Sequence, residues 1–239
     1  MFPDLTSDDI FRLETKRLWL RWPRASDAEA IAEFASLAET ARMTAALPHP
    51  YPPGEAERFI LKARSDNANG KALVLIMVQK GGLRPAIGVA SATLAENQEV
   101  ELGYVVAPHA RGKGYATEAV QALVEAVFSL TNAERVRANS RTINPASRRV
   151  LEKCGFAYVD TGFDLLPARG GLHPCDRFQL DRKAFAEARA KAPAEISAHS
   201  SGEAWDGRVW SRPKRPMVQQ IRETEKLIAA AGPQRRPEA

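Results

Sequence analysis

Cysteine and histidine are both scarce in this chain, and their scarcity closes off two kinds of chemistry. Cys154 and Cys175 are the only cysteines among 239 residues. They fall within helix-like and strand-like patterns and lack the spacing of a disulfide framework or a metal knuckle. The four histidines, His49, His109, His173 and His199, are scattered, so no metal is expected. No apolar run approaches the length of a membrane span, and the acidic opening MFPDLTSDDIF lacks the basic and apolar segments of a secretory signal. A cytoplasmic protein without a membrane partner is the expectation. Charge of one sign is also in short supply: 34 Lys and Arg stand against 29 Asp and Glu, a net charge of +5. Residues 1–183 carry 24 against 22 and residues 184–239 carry 10 against 7, leaving +2 and +3. A core this close to neutral argues against a nucleic-acid surface, and no DNA partner is expected.

Two phosphate-binding signatures are missing as well. No glycine stands four residues ahead of a Gly-Lys-Ser/Thr ending, which excludes a Walker loop. The dinucleotide fingerprint needs a third glycine where this chain has Thr117. What the chain does have is a strand running through a tight turn into a helix, VELGYVVAPHARGKGYATEAVQA, from Val100 to Ala122. At its junction stand Arg111, Gly112, Lys113, Gly114, Tyr115 and Ala116. A helix start offers unpaired N–H groups and the positive end of its dipole, so it welcomes an anion. Gly112 and Gly114 let the backbone curl without Cβ interference, and Arg111 and Lys113 add charge suited to a diphosphate. The spacing Arg-x-x-Gly-x-Ala, met by Arg111, Gly114 and Ala116, resembles the coenzyme A pyrophosphate loop of the GNAT superfamily of N-acetyltransferases.

A second segment, Asn144 to Phe156, is similar to the Asn-x-x-Ser-x-x-(Val/Leu)-x-x-Lys-x-Gly-Phe helix of many GNAT enzymes. It is a well-punctuated helix: Asn144 as N-cap, Pro145 at the first position, and Gly155 beyond the last turn. Val150, Leu151 and Cys154 are expected to face the core. Each motif alone also fits a plain capped helix or strand-to-helix turn; their order and spacing together carry the resemblance.

Periodicity predicts a first strand over Leu13–Trp22, a helix from Ser26 or Asp27 to about Ala38, and a second helix from Gly54 to Arg64. Strands follow at Ala72–Gln79, Pro85–Leu94 and Glu99–Ala107, then a helix at Thr117–Leu130 and a short strand at Arg135–Asn139. A final pair, Phe156–Leu165 and Pro174–Leu180, closes around Gly170 and Gly171. This order is similar to the GNAT order. It implies an α+β fold in which about seven strands, mixed and mostly antiparallel, are flanked by about four helices. The domain spans 12–183, with a helical end at 184–192. The Leu-Glu-Thr-Lys-Arg-Leu opening and the His-Pro-Tyr-Pro-Pro loop resemble the RimJ/RimL branch that acetylates ribosomal-protein N-termini. Residues 193–239 read as an irregular, disordered tail, or as a tail carrying a docking helix at 217–231.

The resemblance implies acetyl-CoA as acyl donor and a primary amine as acceptor, in a monomer or a homodimer. It places the backbone of Tyr104, Val105 and Val106 beside the cofactor arm, on a strand that the family splays with a bulge. It also has Asn144 hold the cofactor arm or the splay. The loop positions 111–116 would cradle the diphosphate. For the leaving thiolate many members use a tyrosine where this chain has Leu151; in the ribosomal-protein branch a serine serves, matched by Ser147. Ser147 is alternatively a helix-capping residue. Amine chemistry adds a constraint. At pH 7.4 a lysine amine is neutral to only ~0.1 %, an α-amine to roughly 30 %, a difference of about 3.5 kcal/mol. One carboxylate acting through water therefore suffices for an α-amine, and Glu101 is the candidate. Its alternative role is an ion pair with an arginine across the sheet. Loops 40–53 and 166–174, with Arg42, His49, Tyr51, Arg169 and His173, are expected to line the acceptor groove. Two other functions stay open on sequence alone: a non-catalytic acyl-CoA-binding regulatory module, and a nucleotide-binding protein.

Overall fold

Alternating burial sets the sheet in place. Leu18 and Leu20 are fully buried while Trp19 and Arg21 between and beyond them are only half-covered, the period-two pattern of a strand packed on both faces unequally. The computed structural model describes residues 11–81, 85–95 and 99–191. In chain order these form β1 (Arg12–Glu14), β2 (Leu18–Arg21), α1 (Ala28–Ala35), α2 (Ala38–Arg42), α3 (Glu55–Ala68), β3 (Ala72–Gln79), β4 (Ala86–Leu94) and β5 (Glu99–Val106). There follow α4 (Tyr115–Leu130), β6 (Arg135–Arg141), α5 (Pro145–Lys153), β7 (Ala157–Leu166), β8 (Gly171–Asp181) and α6 (Arg182–Lys191). The eight strands make one sheet in the order β1-β2-β3-β4-β5-β6-β8-β7. Every pairing is antiparallel except β5 with β6.

Both faces of the sheet are covered. On one, α4 and α5 bury Val120, Leu123, Val124 and Leu151 against Leu75, Met77, Val100, Leu102 and Phe178. On the other, Ile31, Phe34 and Ile60 of α1 and α3 pack on Val74, Ile76, Val78 and Val89. Each such side chain contributes roughly 1.5–3 kcal/mol, so these two layers supply most of the driving force.

The α+β architecture agrees with the sequence-based expectation, with eight strands instead of about seven and six helices instead of about four among the described residues. The single strand expected over Leu13–Trp22 is a hairpin. Its turn is closed by Thr15, whose hydroxyl accepts from the Leu18 N–H at 2.9 Å while its own N–H reaches the Leu18 carbonyl at 3.0 Å. The helix expected to reach Ala38 stops at Ala35, because Leu37 is extended (φ −70, ψ 125) and restarts the chain as α2. Conversely α3 runs past Arg64 to Ala68. The Asn67 side chain clamps that end to β3, accepting from the Val74 N–H (2.7 Å) and donating to the Val74 carbonyl (2.9 Å). The expectations for the 193–239 tail lie outside the described residues.

The expected bulge in the Glu99–Ala107 strand is not where the sheet is irregular. β5 pairs with β4 in unbroken register from Gly88↔Val106 to Leu94↔Val100. Register shifts fall in other pairings, between Met77 and Val78 where β3 meets β4, and between Tyr158 and Asp160 where β7 meets β8.

Candidate active site

β5 and β6 are held together at one end only. Their parallel pairing covers Glu99↔Arg135, Val100↔Val136 and Glu101↔Arg137, and then stops. Beyond it β5 stays on β4 as far as Val106, and β6 stays on β8 as far as Arg141. Each strand follows its outer partner, so a wedge opens between Leu102–Val106 and Ala138–Arg141 without a bulge. Gly88 helps to hold one wall: a Cβ there would lie 2.4 Å from the Val105 carbonyl oxygen, so only glycine allows β4 this close.

Glu101 belongs to the last pair before the wedge opens, and it is exposed. Its neighbour Arg137 turns to Glu99 instead, at 2.9 Å, and Glu99 also takes Arg135 at 3.4 Å. The cross-sheet ion pair considered for Glu101 is thus made by Glu99. Among the described residues nothing pairs with the Glu101 carboxylate.

Just past the open end of β5 lies the start of α4. Gly112 (φ 75) and Gly114 (φ 79) adopt a left-handed backbone, which gives the curl expected of this turn. The first helical bond is Glu118 N–H to the Gly114 carbonyl, 3.1 Å, and among the described residues no acceptor meets the N–H groups of 112–117. These unmet donors at a helix start fit a diphosphate, as does the exposed Lys113. Arg111 contributes its backbone position, but its guanidinium is engaged with Val106 O (3.0 Å), Glu39 (3.0 Å) and Thr40 (2.8 Å), bracing α2. Arg17, which no sequence signal picked out, stands in nearby. It donates to Lys113 O at 2.8 Å, pairs with Glu118 at 2.7 Å and stacks on Tyr115 at 4.6 Å. Tyr115 is a packing residue whose hydroxyl accepts from Gln79 at 2.5 Å, and Ala116 lies in the first turn.

On the far wall, Asn144 caps α5 as expected, accepting from the Ser147 N–H at 3.1 Å. That bond occupies its carbonyl oxygen in holding the helix start. Ser147 sits against a partner the sequence had not suggested: the Tyr104 hydroxyl, 2.9 Å from Ser147 Oγ and 3.1 Å from Ser147 O. Burial pushes the Tyr104 phenol above the ordinary tyrosine range, outweighing the Ser147 hydrogen bond. Tyr104 therefore stays a neutral donor throughout the working pH range. Leu151 is fully buried in the core and faces no cleft. Val106 packs on the α4 side of the sheet and Val105 on the α1 side.

The loops at 40–53 and 166–174, expected to line the acceptor groove, touch each other. Arg169 donates to Leu47 O, and Arg141, at the end of β6, donates to Arg42 O at 2.6 Å. His173 bridges Arg141 (3.3 Å) and the Arg169 carbonyl (3.2 Å). His49 is exposed, and Tyr51 is half-buried with its phenol pushed up to about 12, first by burial and then by the nearby Glu55 and Glu57.

A wedge between parallel strands that ends at an anion-ready helix start can take an extended ligand along the strand with a diphosphate at the helix. A family model described as the acetyltransferase (GNAT) domain matches residues 17–157, and this chain belongs to that family. It is an N-acetyltransferase with acetyl-CoA as its acyl donor. The uncharacterized N-acetyltransferase p20 of Bacillus licheniformis is 27 % identical over 176 residues, covering 73 % of this chain and 98 % of the relative. The uncharacterized N-acetyltransferase YnaD of Bacillus subtilis (strain 168) is 30 % identical over 145 residues, covering 60 % and 81 %. Among solved structures, the RimL ribosomal α-N-protein acetyltransferase in complex with coenzyme A superposes with a TM-score of 0.62 at 18 % identity, covering 72 % of this chain and 99 % of that one. Among the described residues no helix is long and apolar enough to cross a membrane, and no cluster of His, Cys, Asp or Glu is placed to hold a metal.

Proposed function

We propose that this enzyme acetylates the α-amine of a protein N-terminus or a small molecule, in the cytoplasm, by direct transfer. The observation that carries this reading is the unpaired Glu101 carboxylate at the vertex of the β5–β6 wedge, with the Tyr104–Ser147 pair three residues further along β5 and on the other sheet face. The N–H groups of 112–117 hold the diphosphate, with Lys113 adding charge and Arg17 bracing the turn through Lys113 O. The backbone of Tyr104, Val105 and Val106 guides the arm, and the strand splay frees donors that can face the thioester oxygen. Glu101 takes the amine proton through a water as the N–C bond forms. Ser147 donates a hydrogen bond to the sulfur as the C–S bond breaks. Asn144 acts by fixing the position of Ser147. An α-amine fits because one exposed carboxylate is a weak base, adequate for an amine already partly neutral and poor for a lysine.

The test is turnover by the purified full chain. Acetyl-CoA is offered with peptides bearing free N-termini, with α-amino compounds and with N-terminally blocked lysine peptides, and free thiol and acetylated product are followed. Acetylation of α-amines well ahead of lysine amines is the expected result. Preference for the blocked lysine peptides overturns the reading.

A further inference from the structure

The acceptor end of the wedge holds two cationic side chains that are short of partners. Arg141 lies on β6, four residues beyond Arg137, and on the same sheet face as Glu101: Val100, Leu102, Val136, Ala138 and Ser140 are buried on the other. At roughly 3.3 Å per residue it stands about 13 Å from the vertex, at the mouth of the wedge. Its two Nη atoms donate to Arg42 O (2.6 Å) and His173 Nδ1 (3.3 Å). Because a guanidinium only donates, His173 Nδ1 is the acceptor and its Nε2–H points to the Arg169 carbonyl at 3.2 Å. His173 thereby bridges the elements that carry the two arginines. Arg169 in turn donates to Leu47 O.

What both arginines lack is an anion. The Nε atoms of Arg141 and Arg169 are shielded from solvent and meet no acceptor. Neither guanidinium reaches a carboxylate among the described residues. Elsewhere on this sheet face the pattern is the opposite: Arg135, Arg137 and Arg177 each pair with Glu or Asp. Half-buried guanidinium groups with a shielded, unmet Nε are costly to leave without a counter-charge, and a planar carboxylate matches the fork of their Nη atoms.

We infer that Arg141 and Arg169 bind a carboxylate carried by the acceptor, making this enzyme selective for amines that bear an acidic group. The inference rests on the acceptor side of the proposed function, and its test separates the two. In the first arm, full-length enzyme with coenzyme A is melted with glutarate, which has the carboxylates and no amine. A rise in Tm is expected for wild type, with none for Arg141→Met or Arg169→Gln, while the shift from coenzyme A itself stays in all three as proof of folding. Arg141→Lys, which keeps the charge and loses the fork, is expected to recover part of the shift. An equal shift with inorganic phosphate, or no glutarate shift in wild type, overturns the carboxylate assignment. In the second arm, acetyl transfer is compared for acid and amide pairs: free aspartate and asparagine amide, and hexapeptides starting with Asp or Asn. The acid member is expected to have ~10-fold higher kcat/KM, since a charge-assisted bidentate bond discriminates at that level. In Arg141→Met the ratio falls towards one. Preference within the free pair assigns the group to a small molecule, preference within the peptide pair to a protein N-terminus. Equal rates for acid and amide, or a ratio unchanged in Arg141→Met, overturn the inference even if α-amines are acetylated. A glutarate shift lost in Arg141→Met, in an enzyme that prefers lysine amines, would keep it and dismiss the α-amine reading.

Discussion

The Tyr104 hydroxyl lies within hydrogen-bond reach of both oxygens of Ser147, 2.9 Å from Oγ and 3.1 Å from the carbonyl. The phenol has one proton to place. If it goes to the carbonyl, Ser147 must donate to Tyr104 and has nothing left for sulfur. If it goes to Oγ, the Ser147 proton is free for the departing thiolate. Productive chemistry thus selects the second arrangement, with Tyr104 orienting the serine. Tyr104→Phe is expected to lower kcat about tenfold, the worth of one such bond, with KM for acetyl-CoA held within about twofold. Ser147→Ala is expected to cost ~10²-fold in kcat. The double variant should be no slower than Ser147→Ala alone, because the two residues act as one unit. Losses that multiply would show that Tyr104 only packs.

Gly114 tests the diphosphate cradle. Its φ of +79 belongs to glycine, and a Cβ there would come within 3.3 Å of Arg17 Nη2. Gly114→Ala introduces left-handed strain of about 1–2 kcal/mol and is expected to weaken coenzyme A binding modestly. Gly114→Asp adds a carboxylate where the diphosphate is proposed to sit, and is expected to raise Kd by more than ~10-fold beyond the alanine variant, about 1.4 kcal/mol. Calorimetric titration with coenzyme A reads both. Equal affinity for the aspartate variant and the parent would remove the cradle from this turn.

The residues that were legible in the sequence are those whose constraint is local. Gly112 and Gly114 announce a tight turn by type, and Asn144 with Pro145 announces a helix start. The apolar run at Ala72–Gln79 could be read to its ends because it is buried on both faces. What escaped depends on partners far along the chain. Gly88 has no unusual φ; it is fixed by the Val105 carbonyl across the sheet. Glu99 and Glu101 share a face in any alternation, and nothing in the pattern tells which of them captures Arg137. Arg17 and Arg141 reach the site through a hairpin turn and a strand end whose destinations only the assembled sheet defines. The Thr15 turn was missed because a side-chain hydrogen bond closes it without glycine or proline.

Glu118 makes stability depend on acid. Burial alone would raise its carboxyl pKa. The Thr15 hydroxyl (2.6 Å), the Arg17 N–H (2.7 Å) and the Arg17 guanidinium (2.7 Å) outweigh it, and the net shift is downward. A carboxylate whose folded pKa is depressed contributes stability above its unfolded value of about 4.3, and that contribution is lost as pH falls through the lower folded value. Glu118→Gln is expected to cost about 1–2 kcal/mol at neutral pH, allowing for the solvent exposure of Arg17. Thermal melts of parent and variant should converge in acid. A gap that stays constant down to strongly acidic pH would show that the charge is not what matters.

Glu101→Gln should separate proton removal from binding. The carboxylate has no structural partner among the described residues, so the amide variant is expected to melt with the parent, within about 0.5 kcal/mol. Its kcat/KM for an α-amine should fall ~10²-fold at neutral pH. The deficit should narrow as pH rises past about 8, where the amine has already lost its proton. A deficit independent of pH would assign Glu101 to substrate binding.

The last prediction concerns the wall of the wedge. Gly88 brings β4 against β5, and a Cβ would be 2.4 Å from Val105 O, 3.1 Å from Met77 Sδ and 3.2 Å from Val106 Cα. The first of these is backbone, so relief must come from moving the strand. Gly88→Ala is expected to destabilise the fold by about 1–3 kcal/mol, as overpacking does. More telling is the site: Val105 and Val106 belong to the stretch proposed to guide the cofactor arm. Displacing them should raise KM for acetyl-CoA and lower kcat together, whereas Gly103→Ala, whose Cβ would meet only the Ser91 hydroxyl at 3.2 Å, should do much less. If Gly88→Ala lost stability while its kinetic constants matched those of the parent, the β4–β5 contact would be packing alone and the wedge would owe its shape to β6 and β8.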